Sequence, residues 1–134
     1  MRAWLSTFPL TAVPRYNLPM NTNQPKTAPD RDGYYETIPA AALPPNQMTA
    51  VTINGHKLIL ARWDEQIIAF SATCPHAAAD LSQGWLSRYK ITCPDHEYCW
   101  DIRNGRILHP EDENYRLTLY DVKLSDGIIQ VKLP

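Results

Sequence analysis

At 134 residues the chain has room for one domain, which excludes a large multidomain enzyme. Its 13 Lys and Arg stand against 14 Asp and Glu, a net charge of -1, so no whole-chain cationic field would hold a nucleic acid or an anionic membrane. Hydrophobic residues make up 44%, enough for a core, yet no apolar run approaches the roughly 18 residues of a membrane-spanning helix.

Only 5 glycines face 12 prolines, and Pro9, Pro14, Pro19, Pro25, Pro29, Pro39, Pro44 and Pro45 all precede residue 46. Residues 1–33 have no apolar periodicity, and the recurring proline predicts a flexible arm without a stable helix or central strand. A start at Met20 would leave the remainder intact. Arg2 and Arg15 are the charges before Met20, and Pro9, Pro14 and Pro19 interrupt any apolar signal region. The odd set Cys74, Cys93 and Cys99 cannot pair fully within the chain, which favours a reducing, cytoplasmic compartment. The acid-poor opening leaves an organelle transit peptide as the alternative.

From residue 34 short apolar runs alternate with turn signals. Residues 34–38 form one run. Residues 50–53, the turn Asn54-Gly55 and residues 57–63 read as a hairpin, because Asn-Gly supplies the positive φ angles of a type I′ turn. A second hairpin turns at Asp64-Glu65 and returns over 66–71. A third pairs 115–123 with 128–132 through Ser125-Asp126-Gly127. The pattern predicts an all-β domain of about eight to ten short strands. Between the hairpins, residues 74–110 lack regular periodicity and need something to organise them, since loop entropy and unpaired backbone groups count against such a stretch.

The side chains there suggest a metal centre. Cys74-Pro75-His76 is followed by sixteen residues, Ala77 to Thr92, and then by Cys93-Pro94-Asp95-His96. Each loop offers one thiolate and one imidazole. A single tetrahedral zinc ion commonly takes two cysteines from one loop and two histidines from another, whereas one Cys and one His per loop can serve two metal ions.

These loops resemble the Rieske iron-sulfur family, whose pattern is Cys-x-His followed after about fifteen to seventeen residues by Cys-x-x-His. The likeness extends to Leu81-Ser82-Gln83-Gly84, Trp100-Asp101, Asn104-Gly105 and Pro110, and covers about residues 34–134. It implies a three-sheet fold: an antiparallel β sandwich or barrel base with a small inserted cluster-binding subdomain at about 72–110. It also implies one Rieske-type 2Fe-2S cluster, with Cys74 and Cys93 on one iron and His76 and His96 on the other.

Several positions depart from the family. Glycine often follows each ligand His directly or one residue later, whereas this chain has Ala77-Ala78 and Glu97-Tyr98; a positive φ there would cost roughly 1 kcal/mol or more. The high-potential, quinol-oxidising members join their loops by a disulfide, where this chain has Ala79 and Asp95. They also place a cluster-bonding serine where this chain has Tyr98. With Asp80, Asp95 and Glu97 nearby, these departures favour the ferredoxin branch and a low potential.

The remaining chemistry-bearing residues have plainer readings. Cys99 reads as a small packed residue, with an accessible redox thiol as the alternative. His109 and His56 read as structural or surface residues, and Trp63, Trp85 and Trp100 as core. Glu111, Asp112 and Glu113 read as a solvated loop or part of an acidic docking rim. Only 38 residues follow His96 and no Gly-rich nucleotide fingerprint is present, so the chain has no evident substrate site of its own. The resemblance implies a soluble carrier taking electrons from a flavoprotein reductase to a terminal oxygenase or other reductase. The alternatives are a Rieske-like small subunit of a larger reductase, such as assimilatory nitrite reductase, and a zinc-stabilised interaction module.

Overall fold

The computed structural model describes residues 28–95 and 97–134; most of the predicted arm and the candidate ligand His96 lie outside the described residues. The described chain is all β. Its strands are β1 (Tyr34–Pro39), β2 (Gln47–Ile53), β3 (His56–Trp63), β4 (Gln66–Ser71), β5 (Trp85–Ser87), β6 (Lys90–Thr92), β7 (Cys99–Asp101), β8 (Ile107–His109), β9 (Leu119–Ser125) and β10 (Ile128–Lys132). The anticipated hairpins form at their turns, with Asn54 and Gly55 at φ 50 and 82 and Asp126 and Gly127 at φ 53 and 78. The run expected over 115–123 pairs only from Leu119, because the preceding residues form the loop beside β8.

Two antiparallel sheets result. The larger has the order β1-β10-β9-β4-β3-β2 and the smaller β8-β7-β6-β5. Three sheets were expected. The base is continuous because β9 pairs with β4 at Leu119–Phe70 and Tyr120–Ala69, then with β10 from Asp121 to Ser125. The small sheet lies within the stretch expected to be irregular, where three-residue strands are too short to show a period.

Strand β3 shows how the two units are joined. Leu58, Ile59, Leu60 and Ala61 are all fully buried, as a continuous apolar run in a two-sided strand should be. Alternation sends Leu58 and Leu60 into a base core with Ile53, Ala69, Ile129 and Val131. It sends Ile59 and Ala61 into a second core with Phe70, Leu81, Ile91, Trp100, Cys74 and Cys93. The wall made by β3 and β4 therefore belongs to both cores and fixes the candidate ligands to the base.

Gly84 marks the tightest approach in that second unit. A Cβ built there would lie 1.9 Å from the Thr92 carbonyl oxygen, a backbone atom one residue before Cys93. Gly84→Ala is expected to cost about 1–3 kcal/mol through overpacking and to displace the second ligand loop. Thermal unfolding, with bound iron measured on the same preparation, checks this; unchanged values for both would refute it.

Candidate metal centre

The two ligand loops have the same backbone plan. In the first, the Cys74 amide donates to the Ala79 carbonyl at 2.8 Å, and the Ala78 amide donates to the Cys74 carbonyl at 2.9 Å. In the second, the Cys93 amide donates to the Tyr98 carbonyl at 2.8 Å, and the Glu97 amide donates to the Cys93 carbonyl at 3.2 Å. Ala78 and Glu97, at corresponding positions, have φ of 57 and 59. Those left-handed conformations fall where the sequence departs from glycine, at roughly 1 kcal/mol each. The loops keep the turn despite that cost because both ends are held, by β4 and the Leu81–Gln83 3-10 turn in one and by β6 and β7 in the other.

The structure brings Cys74 and Cys93 together in the second core, both essentially inaccessible. Burial pushes the Cys74 thiol up. The amides of Ala77 and His76 act against burial by donating to its sulfur, and the neighbouring Cys93 pushes it up again. Metal coordination would displace that proton, and the two amides are placed to stabilise the resulting thiolate charge. Two facing thiols with amide donors, on loops that each carry an imidazole, fit a two-iron cluster with one thiolate pair.

Aromatic rings surround the imidazole of His76, which is half-buried. The Tyr98 ring stacks on it at 3.9 Å between centroids and 13° between planes, and Tyr115 meets it edge-on at 5.4 Å and 71°. The Tyr98 hydroxyl donates to Glu113 Oε1 at 3.3 Å, tying the second ligand loop to the acidic loop. Burial and then the Glu113 charge push the Tyr98 phenol up, so it stays a donor through the neutral range. This arrangement was not foreseen. Its members are 22 and 17 residues apart in sequence, and no local pattern links them.

Other residues take definite places. Asp80, one of the acids expected to lower the potential, is neutralised by an ion pair: Lys57 Nζ lies 2.6 Å from its Oδ2, and the Ser82 amide and hydroxyl donate to its Oδ1. These contacts, the Lys57 bond foremost, hold its carboxyl at about 2, and it serves as the N-cap of the Leu81–Gln83 turn. By contrast, Asp95, Glu97, Glu111 and Asp112 are exposed and form no ion pair among the described residues.

Cys99 is buried, with its Sγ donating to the Glu97 carbonyl at 3.4 Å and lying 3.4 Å from Thr92 Oγ1. It is a packed residue outside the thiol pair. His56 and His109 are exposed. Of the three tryptophans expected in the core, Trp100 is fully buried and Trp63 half-buried, but Trp85 is 51% exposed. Trp85 lies on edge strand β5, whose alternation turns Leu86 to the core and Trp85 outward. Asp101, following Trp100, is buried with Arg103 bonded to both of its carboxylate oxygens, and that guanidinium lies 4.5 Å from the Tyr89 ring centroid. No helix among the described residues is long and apolar enough to cross a membrane.

The chain is similar to the naphthalene 1,2-dioxygenase system ferredoxin component of Pseudomonas aeruginosa, at 29% identity over 75% of this chain and 95% of the relative. It is similar to sulredoxin of Sulfurisphaera tokodaii at 26%, over 71% and 94%. Among solved structures, the ferredoxin of carbazole 1,9a-dioxygenase from Nocardioides aromaticivorans IC177 superposes with a TM-score of 0.66 at 27% identity, covering 72% of this chain and 94% of that one. A chain of the complex of reduced oxygenase and oxidized ferredoxin in carbazole 1,9a-dioxygenase gives 0.69 at 25%, covering 75% and 93%. The model of the Rieske [2Fe-2S] domain matches residues 33–121, a span that includes both thiol loops, and the chain belongs to that family.

Proposed function

We propose that the protein is a one-electron carrier, taking electrons from a flavoprotein reductase to an oxygenase in a reducing cytoplasm. Its single Rieske-type 2Fe-2S cluster would sit in a subdomain spanning about residues 72–110, on a base built from the rest of 34–134. Cys74 and Cys93 would hold one iron, His76 and His96 the other. When bound, the cluster supplies reversible one-electron chemistry. The observation that carries this reading is the pair of matched loops, each presenting one buried thiol to the other.

The chain's own residues then have distinct tasks. The second core keeps water from the thiolate side, and the His76 and Ala77 amides stabilise thiolate charge. Asp80 fastens the first loop through Lys57 and Ser82. Tyr98 and Tyr115 fix the plane of the His76 imidazole on the side open to a partner. The near-complete coverage of ferredoxin components supports a free carrier over a permanent subunit.

Anaerobically purified protein is expected to contain two irons and two acid-labile sulfides, absorb visible light when oxidised and give a rhombic paramagnetic resonance signal when reduced. One zinc and no sulfide would refute this and favour the zinc-stabilised module. The reduction potential is expected near the low end of the Rieske range, about -150 mV against about +300 mV at the high end. The Tyr98 hydroxyl is engaged with Glu113, and nearby exposed acids stabilise the more positive oxidised state. Protein-film voltammetry checks it, and a value near the high end would contradict it.

A further inference from the structure

Among the described residues, seven other than glycine have positive φ. Asn46, Asn54, Asp64 and Asp126 are of the types that take a left-handed turn at little cost. Ala78 and Glu97 belong to the ligand loops. The seventh is Arg88, at φ 59, in the two-residue turn Arg88-Tyr89 that joins β5 to β6. Asn or Gly would make that turn without the steric cost, so an arginine kept there points to a use for its guanidinium.

Arg88 lines a cavity of about 760 Å³, within the range of small-molecule sites. Two hairpin turns build its wall. Trp63 and Tyr89 are half-buried with ring centroids 6.5 Å apart, and the Arg103 guanidinium lies over the Tyr89 ring at 4.5 Å. The Tyr89 hydroxyl donates to Asp64 Oδ2 at 3.2 Å, and Arg103 donates to both Asp101 oxygens, so both acids of the lining are engaged. Arg88 and Lys90 line the same cavity and form no ion pair among the described residues. Three cations, Arg88, Lys90 and Arg103, against two acids, Asp64 and Asp101, leave an excess of one positive charge.

Strand register sets the cavity apart from the ligand loops. Thr92 pairs with Cys99 at the end of β6 and β7 that adjoins the second loop, whereas Lys90 pairs with Asp101 at the other end. Likewise Trp63 pairs with Gln66 where β4 begins, and the chain leaves β4 for Cys74 from its far end at Ser71.

We propose that this cavity binds a small aromatic carboxylate, its ring against Trp63 and Tyr89 and its charge met by Arg88 and Lys90. The ligand is a monoanion because one positive charge is left unmet, and aromatic because the uncharged part of the wall is chiefly those two rings and Leu108. Its position leaves the ligand loops uncovered, so the ligand and a redox partner can be bound together. The proposal does not rest on the electron-carrier reading.

The test is a titration of the oxidised, metal-loaded full chain with sodium benzoate, followed by proton–nitrogen resonance spectra. Saturable shifts are expected at the Trp63 indole and at the Arg88, Tyr89 and Lys90 amides, and none at the Trp85 indole, with a Kd of about 1 mM. Cyclohexanecarboxylate, which lacks the ring, and benzyl alcohol, which lacks the charge, should each bind at least about threefold more weakly. Arg88→Asn and Lys90→Gln should each weaken benzoate at least about fivefold, whereas Lys132→Gln, outside the cavity, should leave it unchanged. Arg88→Asn should also unfold at the same or a higher temperature, because asparagine accepts the turn. The proposal is overturned if no saturable shift appears by about 20 mM benzoate, if either comparison compound binds as well as benzoate, or if Arg88→Asn binds like the unchanged protein. A lower unfolding temperature for Arg88→Asn overturns it as well, because the arginine would then serve the fold.

Discussion

Replacing Cys74 or Cys93 by serine is expected to abolish the cluster, leaving a colourless protein with less than a tenth of the normal iron. Both sulfurs sit in a core that excludes water, and a serine hydroxyl there is neither a thiolate nor readily ionised. An alternative set of ligands would have to come from elsewhere in the chain. Cys99 is the nearest candidate in sequence, but its Sγ faces Thr92 and the Glu97 carbonyl. Cys99→Ser should therefore retain two irons and the visible spectrum. Its stability cost should be small, about 1 kcal/mol, because a hydroxyl can keep both contacts. His76→Ala and His96→Ala should also lose the cluster. The expected sequence of events differs, since His76 is half-buried under Tyr98 and its loss leaves the thiol pair in place. Iron and sulfide determination on anaerobically purified variants decides the matter. Iron loss in Cys99→Ser with retention in Cys74→Ser would reverse the ligand assignment.

The parts of this structure that were legible in the sequence are those fixed by local chemistry. Asn54-Gly55 and Asp126-Gly127 require positive φ at adjacent residues, and β2–β3 and β9–β10 follow from them. The thiol loops were legible because ligand types and spacing are written consecutively at 74–76 and 93–96. What remained hidden depends on contacts between distant segments. The Lys57–Asp80 bond joins residues 23 apart and removes Asp80 from the set of unpaired acids. The stack of Tyr98 on His76 exists only because the first loop, leaving β4, and the second, between β6 and β7, meet over the second core. Trp85 was misread for another reason. A strand of three residues has too few positions to reveal which face is outward, and residue type alone favoured the core. The two-core division is intermediate: the apolar run 58–61 signals a strand buried on both faces, but not which neighbours cover each face.

Association with a cationic acceptor is expected to slow as ionic strength rises from about 0.01 to 0.3 M, over which the Debye length shrinks from about 30 to about 6 Å. Residues 34–134 contain nine basic and twelve acidic side chains, whereas residues 1–33 contain four basic and two acidic, so the net negative charge lies in 34–134. Within it Asp95, Glu97, Glu111 and Asp112 form no ion pair among the described residues, whereas Asp80 pairs with Lys57. Reversing one of them, as in Glu97→Lys or Asp95→Lys, changes the local charge by two units. At about 7 Å from a partner cation in water each unit is worth about 0.6 kcal/mol before screening. The association rate should fall about fivefold at 0.01 M and less than twofold at 0.3 M, where screening removes most of the term. Dissociation should change little, because these side chains are exposed and solvated. Removing residues 1–33 takes away a net charge of +2 and should leave association unchanged or slightly faster. Stopped-flow traces across the salt series separate the two rate constants. A rate that rises with salt would show that the acids oppose docking, leaving an apolar contact around the histidines to account for recognition without electrostatic steering.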